Sequence, residues 1–333
     1  MLDLLTPPMY VEIIMKVICI GEILIDFVCT QVNSGLKKGC DFVKKAGGAP
    51  ANVAACIGNL GGDSQFIGAV GNDPFGSYLL DRLQSYNVNV DFVQVLSTPT
   101  TLAFVSLADE GEREFTFNRG ADEQLTLTDS RLESLLDDSI IHFGSATALL
   151  GGNLFDSYLA AVNHASSNGN LIVFDPNYRI DLWKNNIEQF KERCSIFIKM
   201  ADVVKVSEDE LELLTGMSVQ GEACNVLHEQ GVNLVFVTLG KDGCLVSQNG
   251  NQYIVPAYEI TAVDTTGAGD SFIGAILYQM ANSSGIDILY ADKMEEFVAF
   301  AEKVSGMVCS KVGAMTALPS LDEINNTHFI VKK

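Results

Sequence analysis

Apolar runs of strand length alternate with amphipathic stretches of helix length over most of the chain. Residues 16–21, KVICIG, are apolar after Lys16 and end in glycine, which predicts a strand covered on both faces. ILIDFVCT (23–30) is a second apolar run carrying one acid, Asp26. Residues 31–49 are polar and Gly-rich, and Pro50 with Gly61-Gly62 brackets a helix. SQFIGAVG (64–71) predicts one strand, and DPFGSYLLDRLQSYNV (73–88) a helix. TPTTLAFVSLADEGEREFTFNR (98–119) changes character and reads as two strands about a turn at Asp109-Glu110-Gly111. From residue 129 strands and helices alternate again. The helices fall at 130–138, 154–169, 185–199, 208–216 and 223–231, and the strands at 139–146, 171–177, 201–207 and 233–240. CLVSQNG and QYIVPAY predict a hairpin, and helices at 269–283 and 293–310 close the core.

Strand–helix alternation predicts an α/β fold with a mostly parallel sheet covered on both faces. No linker composition interrupts it, so residues 15–320 read as one domain. The strand-rich stretches at about 22–45 and 98–120 read as a small sheet projecting from that body. Residues 1–14 read as an N-terminal extension.

Charge narrows the partners. Lys and Arg number 21 against 42 Asp and Glu, a formal net charge of −21 in 333 residues. A nucleic-acid partner is excluded on that count, because a phosphate backbone needs a positive surface. A small anionic substrate is not excluded, since a few backbone N–H groups hold a phosphate locally. The acidity fits ordinary composition or a protein kept soluble in high salt, and composition alone does not choose. The eight cysteines form no C-x-x-C pair and sit mostly in apolar segments, which favours a reducing compartment. The first residues lack the basic stretch and small-residue cleavage site of a signal peptide, and no apolar run reaches membrane-spanning length. The expectation is a cytoplasmic protein with no membrane partner.

The chemistry concentrates at residues 264–276, DTTGAGDSFIGAI. Gly267, Ala268 and Gly269 let the backbone approach a ligand, with N–H groups directed from the start of the following helix, an anion hole. Asp270 in the first helical turn is ill suited to touch a phosphate. It is well suited to take the proton of a hydroxyl beside donors that offset phosphoryl charge. Asp270 as a helix cap after a Gly-rich turn is the alternative. The Gly-Lys-Ser/Thr of a Walker loop is absent, and GEILID after the first strand is not a dinucleotide fingerprint.

AGGAPANVA (46–54) and DTTGAGDSFIGAI (264–276) resemble the two signatures of the PfkB, or ribokinase-like, family of sugar kinases, in the same order. The resemblance covers residues 16–320. It implies a three-layer α/β/α core with a small β-sheet lid over a sugar, and ATP as phosphoryl donor. It implies Asp270 as catalytic base, with Gly267, Ala268 and Gly269 at the anion hole. On the sugar side it implies Asp26, Gly47, Gly48 and Asn52. VTLGKDGC (237–244) matches the nucleotide side through Thr238, Gly240 and Gly243, and Lys205 and Gly313 (in SGMVCSKVGA, 305–314) join them. KVSEDELELLTG (205–216) matches a stretch whose Asn-x-x-Glu serves Mg²⁺ and phosphate; Glu210 keeps the Glu, while Ser207 replaces the Asn. Asp264 and Thr266 are implied at a monovalent-cation (K⁺) site.

Three stretches are similar to fructokinases within the family: FDPNYRIDLW (174–183), REFTFNRGAD (113–122) and VGAMTALP (312–319). Arg179 is expected to reach phosphate or sugar oxygens, or to pair with Asp175 or Asp181 at the surface, and Arg119 to close over the sugar. Asn118 stands where relatives carry Tyr. 2-Keto-3-deoxygluconate kinase shares the Arg…Leu-Trp pattern, but the two tyrosines of its lid are missing here. An inactive sugar- or nucleotide-binding module is the reading of another class, and the presence of Asp270 weighs against it. Lids of relatives pair, so a homodimer through the lid is expected.

Overall fold

The structure is a computed structural model, and the residues described are 15–107, 113–128, 132, 139–248, 250–283, 289 and 293–332. The expected extension 1–14, the turn at 109–111 and nearly all of the helix at 130–138 lie outside them.

The strands in chain order are β1 (Lys16–Ile20), β2 (Leu24–Cys29), β3 (Phe42–Gly47), β4 (Ser64–Ile67), β5 (Ala69–Gly71), β6 (Val88–Asn89), β7 (Gln94–Leu96) and β8 (Leu102–Leu107). They continue with β9 (Arg113–Asn118), β10 (Ser139–Phe143), β11 (Leu171–Phe174), β12 (Val203–Ser207), β13 (Leu234–Thr238), β14 (Cys244–Gln248) and β15 (Asn251–Val255). The main sheet runs β15-β14-β13-β12-β11-β10-β1-β4-β6. It is parallel except for β14 and β15, which return antiparallel as a hairpin. A second sheet runs β3-β2-β8-β9, with β2 and β8 parallel inside two antiparallel hairpins.

Strand alternation builds the layers. Val17 and Cys19 point to one face with Ile140, Val173, Val203 and Phe236, under the helices Ala49–Asn59, Ala268–Ala281 and Met294–Cys309. Ile18 and Ile20 point to the other with Ile141, Phe174, Val204 and Val237, under the helices Gly152–Ser167, Ile187–Ile198 and Gln220–Glu229. Helices on both faces of a mostly parallel sheet make the expected three-layer α/β/α fold.

The single strand expected over 64–71 is two. β4 belongs to the main sheet, while β5 pairs with β7 in a separate ribbon. The break is at Gly68, which passes so close to the end of β1 that a Cβ there would lie 2.6 Å from the Gly21 carbonyl oxygen. Seven of the eight cysteines are buried, Cys40 alone is exposed, and all are free thiols. Among the described residues no helix is long and apolar enough to cross a membrane.

The chain order reverses between β10 and β1: from β1 the next main-sheet strand lies on one side, and β10 on the other. A crevice opens beyond the carboxyl ends of strands at such a reversal. The first hairpin of the second sheet, β2–β3, follows directly from the end of β1.

One buried acid gives the fold a pH dependence. Glu302, on the Met294–Cys309 helix, is 8% exposed, and burial pushes its carboxyl up to about 7. A folded-state value above the unfolded one favours the fold below about pH 4.5, an advantage lost as pH rises through about 7. Glu302→Gln should therefore be more stable than the native chain at pH 8, by up to about 3 kcal/mol. The difference should vanish near pH 4.5; urea unfolding at the two pH values checks it.

Candidate active site

The helix Ala268–Ala281 is capped by Gly267 in the left-handed region at φ 77°. A side chain at Gly267 would meet Ala314 Cβ at 2.6 Å, so glycine is required there twice over. The Ala268 N–H bonds back to the Thr265 carbonyl, and the next amides, of Gly269 and Asp270, lie in a first turn that has no earlier turn to bond. Ser271 Oγ and Ser305 Oγ both donate to the Ala268 carbonyl, at 2.9 and 3.1 Å, which fixes the turn. Asp270 is 7% exposed, and its Oδ2 accepts from Asn52 Nδ2 at 2.8 Å.

Asn52 comes from the first turn of the Ala49–Asn59 helix, whose N-cap is Gly48 at φ 109°. A Cβ on Gly48 would lie 2.5 Å from the Glu22 carbonyl oxygen. Gly47 gives up its side-chain space to a neighbour: a Cβ there would lie 2.0 Å from Asp26 Oδ2. Asp26 stands on β2 opposite Lys45, and Lys45 Nζ reaches to 3.7 Å from the Cβ position of Gly313. The second sheet thus touches the C-terminal loop across the crevice.

A buried charge cluster lies beneath the turn. Lys205 Nζ on β12 binds Asp175 Oδ2 at 3.0 Å and sits 2.9 Å from where a Cβ on Gly269 would be. Burial works against the Lys205 charge, but Asp175 and Glu210 more than offset it and raise its pKa. Burial also pushes the Asp175 carboxyl up to about 6, with Lys205 holding it back. The cluster is therefore an ammonium among carboxylates, placed against the backbone at Gly269. His142, fully buried nearby, is pushed down to about 3 by burial and by Lys205, so it stays neutral.

Glu210 lies beside this cluster with both oxygens engaged. Oε2 accepts from the Ser207 N–H and Oε1 from the Tyr178 N–H, each at 2.8 Å. Ser207 Oγ in turn accepts from the Glu210 N–H at 3.2 Å, a reciprocal cap on the helix Glu208–Thr215. Ser207, in the Asn position, is a helix cap, and Glu210 ties that helix to the 175–179 loop.

Asp264 Oδ1 accepts from the N–H and Oγ1 of Thr266, at 3.0 and 2.5 Å, and Oδ2 from the Gly313 N–H at 2.9 Å. These bonds join the signature loop to the C-terminal loop. Thr238 ends β13 opposite Ser207, and Gly240 and Gly243 shape the turn into β14 with positive φ. Among the described residues no three His, Cys, Asp or Glu side chains gather to hold a metal.

The two arginines have the following partners. Arg119 donates from Nε and Nη2 to Asp122 Oδ2, both at 3.0 Å. Arg179 Nη1 donates to the Tyr178 carbonyl at 3.0 Å, while Asp175 pairs with Lys205 and Asp181 with Lys184. Arg119 belongs to a buried network that sequence reasoning missed. Asp122 accepts from Thr101 Oγ1, from the Gly120 N–H at 3.3 Å and from Thr147 Oγ1 at 2.9 Å. Thr147 also approaches Glu22 Oε2 at 3.5 Å, and Glu22 takes Ser145 Oγ and the Ala49 N–H. Burial, then the Asp122 charge, raises the Glu22 pKa. Residues 101 and 119–122 flank the β8–β9 hairpin, and Glu22 and Ala49 flank β2–β3. One network therefore pins the roots of both hairpins of the second sheet. The one sequence signal for it was an acid, Glu22, just past the apolar run Val17–Ile20.

Residues 15–321 match a family model described as pfkB family carbohydrate kinase. Fructokinase-1 of Oryza sativa subsp. japonica is 38% identical over 312 residues, 92% of this chain and 96% of its own length. The fructokinase of Xylella fastidiosa, solved with bound ATP, superposes with a TM-score of 0.81 at 30% identity, covering 93% of this chain and 97% of its own. A double mutant of Vibrio cholerae O395 fructokinase, solved with fructose, ADP and potassium ion, gives a TM-score of 0.83 at 30% identity, covering 94% and 98%.

Lys205→Met removes the cation from a buried carboxylate cluster, a loss of about 3–5 kcal/mol in stability. Without Lys205 the Asp175 value moves further up, so the loss should be larger at pH 8 than at pH 5, where Asp175 takes up a proton. Urea unfolding of the variant and the native chain at both pH values gives the comparison.

Proposed function

Since the chain belongs to the pfkB family of carbohydrate kinases, we propose that it is an ATP-dependent fructokinase acting on the 6-hydroxyl of D-fructose. The observation that carries the reading is Asp270, a buried carboxylate in the first turn of a helix, joined to Asn52 of the other signature. Asp270 takes the proton of the attacking hydroxyl. The sugar oxygen bonds to the γ-phosphorus as the bond to the β-bridging oxygen breaks, and ADP leaves. The backbone of Gly267, Ala268 and Gly269 and the Lys205 ammonium offset the charge on the transferring group. Asp26, Gly47, Gly48 and Asn52 form the wall on the sugar side, and Thr238, Gly240, Gly243 and Gly313 the nucleotide side.

The donor set fits Mg²⁺ carried on the nucleotide rather than in a protein cage, because both Glu210 oxygens are committed to backbone amides. Mg²⁺ so bound supplies charge that offsets the phosphates. Asp264 with Thr266 organises the loop assigned to the monovalent cation. The second sheet closes over the sugar as a lid, and two copies pair through it.

Fructose is favoured over a keto-deoxy acid because the two tyrosines of the keto-acid kinase lid are missing at Phe117-Asn118-Arg119. Two measurements test the reading. Asp270→Asn should bind ATP and fructose near normally by calorimetry and lose about 10²–10⁴-fold in kcat; near-normal turnover would remove Asp270 as base. Across fructose, keto-deoxygluconate, ribose, adenosine and tagatose, kcat/KM should be highest for fructose. Another acceptor in the lead would replace the substrate assignment and leave the kinase chemistry standing.

A further inference from the structure

We propose that Asn52 is a positioning residue for Asp270: its amide fixes one carboxylate oxygen, so that the first signature orients the base supplied by the second. The proposal rests on reading Asp270 as the base. It goes beyond that reading in giving Asn52 a task in proton transfer in addition to any contact with the sugar.

The Asn52 amide has two ends in different situations. Nδ2 donates to Asp270 Oδ2 at 2.8 Å, and both residues are buried, 8% and 7% exposed. Oδ1 is shielded from solvent and has no hydrogen-bond partner among the described residues. An unpaired buried amide oxygen is costly, and an apolar side chain at this position would avoid it. The amide is kept with its donor end on the carboxylate. Nδ2 carries two hydrogens, so one bond to Asp270 leaves the other for a ligand.

The bond is held from both sides. The Asn52 N–H donates to the Gly48 carbonyl at 2.9 Å, and Gly48 has no room for a side chain against Glu22. One turn further on, Cys56 Sγ donates to the Ser271 carbonyl at 3.5 Å. A Cβ on Gly274 would lie 2.8 Å from Cys56 Cβ and 3.2 Å from the Val53 carbonyl oxygen. The two helices are in near-backbone contact beneath the bond, so neither partner can drift while the helices stay packed. With Oδ2 held, Oδ1 of Asp270 is the oxygen left to receive the hydroxyl proton.

The same bond acts on the charge of the base. Hydrogen bonding to a carboxylate favours its ionised form. The charged groups within electrostatic reach of Asp270 are the Asp175 carboxyl, just past β11, and the Lys205 ammonium on β12, while the Cys56 thiol on the partner helix is kept protonated by burial. Asn52 adds its support without adding charge.

The test follows the titration of Asp270 in Asn52→Ala and Asn52→Asp. Alanine suits the helix, and aspartate keeps the side-chain shape should the alanine variant fold poorly. The Asp270 carboxyl is followed by carbon NMR in the unliganded protein, its signal assigned by loss in Asp270→Asn, and the pH profile of kcat is recorded with ATP and fructose. In Asn52→Ala the Asp270 titration and the acid limb should both move up by about one unit, so that kcat well down that limb falls by up to about tenfold. KM for ATP should stay within about twofold, because the change is at the base. Asn52→Asp, placing a second carboxylate there, should move both further up. An unmoved Asp270 titration in both variants overturns the proposal, including when KM for fructose alone rises, since Asn52 would then serve the sugar only. Full turnover in Asp270→Asn would instead overturn the underlying assignment of the base.

Discussion

Two helix N-termini meet at one point: Asn52 on the Ala49–Asn59 helix and Asp270 on the Ala268–Ala281 helix, 218 residues apart in sequence and joined by a 2.8 Å hydrogen bond. The meeting depends on small residues. Gly274 lets the helices approach against Cys56, Gly48 lets the first helix begin under Glu22, and Gly267 lets the second begin against Ala314. Larger residues at these positions would part the helices by the width of a side chain. Asp270 would then move relative to any acceptor held on the Asp26–Gly47 side, and proton transfer tolerates little misplacement.

The electrostatic problem is the second constraint. A chain of net charge −21 must accept a polyanionic cosubstrate. The fold answers locally. The helix N-terminus presents unpaired amides, and Lys205 is held charged against Gly269 by a carboxylate on the neighbouring strand. Asp175 and Glu210 are acids in a phosphate-handling region, yet each is directed away from a ligand, Asp175 to Lys205 and Glu210 to backbone amides. These contacts fix the ammonium and the surrounding loops, and on the proposed function little reorganisation would accompany the arrival of charge.

The three-layer fold was legible because buried parallel strands are nearly pure apolar runs and their helices are bounded by Gly and Pro. The break at Gly68 was not, since what divides 64–71 is the passage of the chain past Gly21, a tertiary contact absent from local pattern. In the site, GAGD and GGAPAN carried their own signal, because glycines at close approaches leave a mark in sequence. The partners of Arg119 and Lys205 left none. Asp122 lies three residues from Arg119 and could equally have been a helix-start acid, and Asp175 lies 30 residues from Lys205, joined to it only by strand adjacency. The Ser207–Glu210 pair was visible as a motif with one altered member. Its capping geometry explains the alteration, since a Ser hydroxyl makes the reciprocal cap with Glu three residues on.

The central claim is that the carboxylate joined to Asn52 is the one that receives the acceptor proton. The most direct measurement is a crystal structure of the protein with fructose and a non-hydrolysable ATP analogue. The account predicts Asp270 Oδ1 within about 2.6–3.2 Å of the fructose 6-hydroxyl oxygen, with Oδ2 still on Asn52 and that hydroxyl in line with the γ-phosphorus. A complex in which the 6-hydroxyl lies beyond hydrogen-bond reach of Asp270, or in which Asn52 has left the carboxylate, would contradict it.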